Sequence, residues 1–130
     1  MLFRSADLDL YTRSTVEIEH IMPQTCSDKS MYGMTDEEYE VYISRLGNLT
    51  LLENSINKSI QNDVYDVKKE AYKKSKFYLT SSISLLVTQG NNTAINRTNT
   101  LLKAWDKWDS YSINDRQKMM YELSEKIWTL

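Results

Sequence analysis

Cysteine, histidine and proline each occur once in this chain, as Cys26, His20 and Pro23, and glycine occurs only three times. A single cysteine closes no internal disulfide, so the fold rests on its core, as suits a reducing compartment. One histidine and one cysteine exclude the common zinc sites, and neither H-E-x-x-H nor Cys-x-x-Cys occurs. No Gly-rich phosphate loop is present, which leaves nucleoside triphosphate chemistry without support. No apolar run approaches the roughly 20 residues that a membrane-spanning helix needs. The opening Met1-Leu2-Phe3 is followed closely by Arg4, Asp7 and Asp9, unlike a secretory signal. Together these absences lead us to expect a cytoplasmic chain with no membrane partner. A net charge of −2 argues against nonspecific nucleic-acid binding by the whole surface.

What remains is ordinary in amount, with 41% hydrophobic and 26% charged residues among 130, and predicts one globular domain over residues 1–130. Leu2-Phe3 and Leu8-Leu10-Tyr11 read as the tail of an element begun upstream, so we expect a C-terminal part of a longer protein. Charge is uneven along the chain. Asp28, Asp36, Glu37, Glu38, Glu40 and Glu53 outnumber Lys29 and Arg45, whereas from Asn57 to Phe77 six lysines face Asp63, Asp66 and Glu70. A basic stripe is usually a solvated helix face and gains meaning only beside a phosphate-handling site.

Val16-Glu17-Ile18-Glu19-His20-Ile21 alternates as a half-buried strand does, and Pro23 ends the ladder because it has no N–H to donate. Thr35-Asp36-Glu37-Glu38 is a capping box. It opens a helix to about Arg45 with Tyr39, Tyr42, Ile43 and Leu46 on one side, stopped by Gly47. Asn48 to Leu52 reads as a second strand. A helix capped by Asn54 or Ser55 then carries Ile56, Asn57 and Ile60. A second capping signal at Asn62-Asp63 precedes Val64, Val67, Ala71 and Tyr72 at helical spacing, with the lysines mostly opposite. That helix is expected to end in the Thr and Ser of Leu79–Ser82. Ile83 to Val87 is read as helix, Gly90-Asn91-Asn92 as loop, and Leu101, Leu102, Trp105 and Trp108 as one face of a short helix. Ser112 or Asn114 caps a last helix with Ile113, Met120, Leu123, Ile127 and Trp128 in its buried stripe.

Strand, loop, strand and helix in this order can bring Glu19-His20, Asn48 and Asn57 to one point. Glu19 and Asn57 offer hard oxygen donors suited to Mg²⁺, which takes few protein ligands and keeps waters. His20 beside them has the chemistry to take a proton from an attacking water. Asn48 suits bracing of the loop by hydrogen bonds to backbone. Asn54 is a rival for the place of Asn57. A Cys26–His20 nucleophilic pair lacks the cationic surroundings that lower a thiol pKa.

Three segments in order carry a family resemblance: Ile18-Glu19-His20-Ile21-Met22-Pro23-Gln24, Leu46-Gly47-Asn48-Leu49-Thr50-Leu51-Leu52 and Asn54-Ser55-Ile56-Asn57-Lys58-Ser59. They resemble the HNH (His-Me finger) nuclease motif, and more closely the C-terminal nuclease domain of GmrSD-type modification-dependent restriction endonucleases. Lys68, Tyr72, Ser75, Trp108, Ile113, Arg116 and Ile127-Trp128 look like the later part of that pattern. The resemblance implies an α+β fold, with a ββα-metal core of two antiparallel strands over about residues 16–75 and further helices over about 79–130. It implies a DNA endonuclease acting in a restriction or phage-defence system, with Mg²⁺ or Mn²⁺ as cofactor. The catalytic set would be His20, Asn48 and Asn57, with His20 as general base and Asn48 as the middle residue of the motif. The metal would rest on Glu19, where Asp is usual in HNH sites, and on Asn57. Lys58, Lys68, Tyr72, Ser75 and Arg116 would line a nucleic-acid groove, or else the last four form a helix–helix network. The partners implied are DNA, modified or not, and an upstream NTP-linked sensing domain. The rival readings are an inactive DNA-binding or interaction module with the same fold, and a regulatory fragment that works only inside its parent chain.

Overall fold

The structure, a computed structural model, describes residues 15–85 and 102–128. Among them, five helices accompany one two-stranded antiparallel sheet, an α+β arrangement as expected. The strands are β1 (Val16–His20) and β2 (Leu49–Glu53), paired from Val16 opposite Glu53 to His20 opposite Leu49. The helices are α1 (Asp36–Tyr42), α2 (Asn54–Ile60), α3 (Tyr65–Tyr72), α4 (Tyr78–Ser84) and α5 (Ser110–Trp128). Tyr39, Leu52, Tyr72, Ile83 and Ile113 from five different elements meet in the core. Each such side chain contributes on the order of 1.5–3 kcal/mol by leaving water.

The Thr35 capping box forms as read: the Glu38 N–H donates to Thr35 Oγ1 at 3.2 Å and the Thr35 N–H to Glu38 Oε1 at 3.3 Å. Helix α1 ends earlier than expected, at Tyr42, and the chain re-forms as a short 3₁₀ turn over Leu46–Asn48. The helical phase that would align Leu46 with Tyr42 is therefore broken, and Leu46 is exposed. Helix α2 follows β2 directly, starting at Asn54 itself. Its N-cap, Glu53, makes no side-chain capping bond. The Glu53 carboxylate instead accepts from Ser75 Oγ at 2.6 Å and the Lys76 N–H at 2.7 Å, fastening the end of β2 to the turn after α3.

Gln61 leaves α2 with φ of 29°, and Val64 becomes the N-cap of α3. That restart shifts the helical phase by one residue. Tyr72 is buried as expected, but Tyr65 and Lys68 are buried in place of Val64 and Val67, which are exposed. The Thr- and Ser-rich stretch begins a helix, α4, where an end was expected. Thr80 explains this: its hydroxyl donates to the Leu51 carbonyl at 2.6 Å and lies 2.6 Å from Thr50 Oγ1, so the polar side chains serve packing against β2. Val87 and Gly90-Asn91-Asn92 lie outside the described residues.

Leu102, Trp105 and Trp108 are buried as expected but are not helical. Non-local partners claim their groups: the Trp105 N–H donates to the Ile83 carbonyl at 2.9 Å, and Trp108 stacks on Tyr65 with centroids 5.3 Å apart. Helix α5 begins ahead of the expected caps because the Asp109 carboxylate accepts the Ser112 N–H at 2.9 Å. Ile113 and Met119 are buried beneath it, with Met120 and Leu123 packed at the edge. Leu101 and the side chains of Ile127 and Trp128 lie outside what is described.

Helix α5 crosses directly over the Leu46–Asn48 turn. A Cβ on Gly47 would collide with the Ile113 carbonyl oxygen and stand 2.9 Å from its carbon, so glycine is required here by close approach of two backbones. Because that neighbour is backbone, relief requires moving the helix. Gly47→Ala is expected to cost about 1–3 kcal/mol or more, read as a lowered midpoint in thermal or urea unfolding.

Candidate active site

Strand β1 does not bury its apolar residues in simple alternation. Val16 is buried, yet Ile18 is 63% exposed and Glu19 only 4%. A buried carboxylate needs partners, and α3 supplies them. Lys68 Nζ lies 3.0 Å from Glu19 Oε2 and the Tyr72 hydroxyl donates to the same oxygen at 2.7 Å. Lys68 Nζ also donates to the His20 carbonyl at 2.7 Å, so one ammonium holds both residues at the strand end. Burial pushes the Lys68 pKa down, opposed by the Glu19 charge and hydrogen bond. Burial, together with Glu19, raises that of Tyr72 well above its ordinary value, so the phenol stays a donor.

A polar cleft opens between β1 and α2, lined by Glu17, Glu19, His20, Gln24, Asn57 and Asn62 among others. Both hydrogen bonds to Glu19 end on Oε2, leaving Oε1 without a partner among the described residues. Asn57 sits on α2 across from the strand, with its Nδ2 donating to Glu17 Oε2 at 2.6 Å. Half-buried His20 has its pKa lowered, first by burial and further by the Lys68 charge, against the raising effect of Glu19. That favours the neutral imidazole, the form able to accept a proton.

Asn48 lies beneath this cleft, fully buried, with its side-chain hydrogen bonds all inside the domain. Its Oδ1 accepts from the Met22 N–H at 2.7 Å and Trp108 Nε1 at 3.0 Å. Its Nδ2 donates to the carbonyls of Met22 at 3.1 Å and Ile43 at 3.0 Å. The amide thus fixes the chain leaving His20, and its hydrogen-bonding capacity is used up within the domain.

Four residues expected in a nucleic-acid groove are placed elsewhere. Lys68, Tyr72 and Arg116 are fully buried and Ser75 nearly so. Their hydrogen bonds are made within the domain: Lys68 and Tyr72 bond Glu19, Ser75 bonds Glu53, and Arg116 Nη1 donates to the carbonyls of Gly47 at 3.0 Å and Leu49 at 2.7 Å, while Nε and Nη2 of Arg116 are buried without a partner among the described residues. The groove assignment is corrected for all four. They form the helix–strand network that holds the site, because the turn before β2 and the carboxylate on β1 both need buried donors. Burial draws the Arg116 pKa down to about 10. Lys58 alone of the expected set is exposed, on α2 beside Asn57. Asn54, the rival to Asn57, does not line the cleft.

Glu17 was not singled out in the sequence. Its separation of two from Glu19 on a strand places both carboxylates on the same face, which is the signal that identifies it. For a cation, the cleft offers carboxylate and amide oxygens, the donor types that Mg²⁺ and Mn²⁺ accept. Among the described residues no three His, Cys, Asp or Glu side chains form a metal-holding group. A cation here would therefore rest on few protein ligands, as Mg²⁺ commonly does.

A two-stranded antiparallel sheet with a helix following its second strand, and a histidine at the end of the first, gives a small α+β domain compatible with the HNH type. The chain belongs to the family of GmrSD restriction endonucleases, C-terminal domain, whose model matches residues 2–123. That family makes it a nuclease domain of a restriction endonuclease. No curated protein and no solved structure matches the chain. No described helix is long and apolar enough to cross a membrane.

Removing one partner of a buried ion pair costs about 3–5 kcal/mol because the other charge is stranded. Lys68→Met is therefore expected to destabilise the domain by about that amount. Adding Glu19→Gln, which removes the stranded charge while still accepting from Tyr72, should restore much of the loss. Denaturant titration of the single and double variants measures both effects.

Proposed function

We propose that this domain is a metal-dependent DNA endonuclease of the HNH type, hydrolysing phosphodiester bonds as the effector of a restriction or phage-defence system. The observation that carries the reading is the shared polar cleft, whose lining includes His20, Glu19 and Asn57. His20 takes the proton from the attacking water, and its depressed pKa keeps the imidazole available for that role near neutral pH. Glu19 and Asn57 would hold Mg²⁺ or Mn²⁺, which supplies neutralisation of charge at the scissile phosphate and leaving oxygen. Lys68 and Tyr72 orient Glu19 from behind, and Asn48 fixes the backbone that follows His20. Lys58, exposed next to Asn57, is suited to contact a DNA phosphate.

In this reading the substrate is DNA, modified or not. The domain acts in the cytoplasm alongside an upstream NTP-linked sensing domain of the parent protein. Family membership and the cleft chemistry support it. Incubation with supercoiled plasmid and Mg²⁺ or Mn²⁺ should yield nicked or linear product, abolished by a chelator. His20→Ala should lower the rate by about 10²–10⁴-fold with an unchanged circular-dichroism spectrum. Cleavage indifferent to that substitution would sink the proposal, and metal-independent DNA binding without cleavage would mark an inactive module instead.

A further inference from the structure

An asparagine side chain meets a cation well only through its oxygen, yet its two arms are nearly alike in shape and must be told apart by their partners. The Asn57 side chain has one hydrogen-bond partner among the described residues, the Glu17 carboxylate, which Nδ2 reaches at 2.6 Å. An ionised carboxylate accepts hydrogen bonds and donates none. It therefore selects the amide nitrogen, which leaves Oδ1 on the other arm, without a partner among the described residues. The bond spans two elements, from the second residue of β1 to the middle of α2, and joins residues separated by 40 positions. Glu17 is exposed and lies outside the buried network around Glu19, so its carboxylate has no evident part in the core.

We propose that Glu17 is a positioning residue: it holds Asn57 with its oxygen arm presented for a divalent cation in the cleft. This rests on the metal-dependent reading above and goes beyond it by assigning Glu17 a role through Asn57 instead of as a ligand. Partners of metal ligands that set their orientation typically change metal affinity by about 10–100-fold when removed. Substitution at Glu17 should act with little effect on folding, because exposed side chains outside such networks contribute little to stability.

Mn²⁺ binding to the purified protein without DNA, followed by the electron paramagnetic resonance signal of free Mn²⁺, gives a readout separate from catalysis. Glu17→Ala should weaken binding by about 10–100-fold with an unchanged melting temperature. Glu17→Gln keeps an acceptor for the Asn57 amide while removing the charge. Its own NH2 group can also donate to Asn57 Oδ1, so it should weaken binding, but by less than Glu17→Ala does. In a protein already carrying Asn57→Ala, adding Glu17→Ala should weaken binding no further, since the effect passes through that amide. Unchanged affinity in Glu17→Ala overturns the proposal. So does an equal loss in Glu17→Gln and Glu17→Ala, which would make Glu17 a direct ligand. If the parent protein takes up no Mn²⁺ and cleavage ignores His20→Ala, the metal-dependent reading falls and this inference with it. Normal Mn²⁺ binding by both the parent protein and Glu17→Ala removes only the role of Glu17.

Discussion

The arrangement around His20 depends on one buried amide. Asn48 has two donors and one oxygen acceptor with two lone pairs, and each of these positions is occupied: by both backbone groups of Met22, by the Ile43 carbonyl and by the Trp108 indole. Those partners belong to the exit of β1, the exit of α1 and the segment before α5. A buried side chain with a full set of bonds has a single acceptable orientation, and losing any one of them would strand a polar group in the interior. The Asn48 backbone adds a further tie through the Ile21 N–H at 2.9 Å. The path of the chain after the histidine is set by this junction more than by the short sheet.

A second constraint is electrostatic. Strand β1 carries a carboxylate inside the domain, and a lysine and a tyrosine from α3 make that tolerable. The same ammonium reaches the His20 carbonyl, so one side chain of the helix ties the carboxylate and the histidine backbone together. The arrangement separates two tasks on neighbouring residues. Glu19 is anchored through one oxygen from behind, whereas His20 remains half-exposed at the cleft.

Much of this was legible in the amino-acid sequence where local chemistry decides. The Thr35 capping box, the antiparallel pairing and the placing of His20 and Asn57 along one cleft follow from cap geometry, strand period and motif order. Reading failed where distant partners override local preference. Val64 and Val67 have the better apolar character, yet Tyr65 and Lys68 face inward because their polar ends meet Trp105, Glu19 and the His20 carbonyl. Trp105 and Trp108 have helical spacing but extended non-local bonds. Lys68, Tyr72, Ser75 and Arg116 have the composition of a phosphate-binding face, and only three-dimensional placement shows that each is buried within the domain. Glu17 could have been found from strand period alone, had its face been weighed with that of Glu19.

The crossing of α5 over Gly47 has a temporal side. Gly47 meets Gln117, Arg45 meets Asn114 and Asn48 meets Trp108, pairs separated by 60 to 70 positions. Contacts this distant in the chain form late, since a large loop must close before they contribute. During synthesis from the N-terminus, the strands and α2 emerge well before the segment that completes the turn beneath the histidine. A ribosome-bound chain ending short of α5 lacks the Arg116 donor to the Gly47 and Leu49 carbonyls and so lacks a set backbone at that turn. In this nuclease domain the turn beneath the histidine is thereby completed only once α5 has been made.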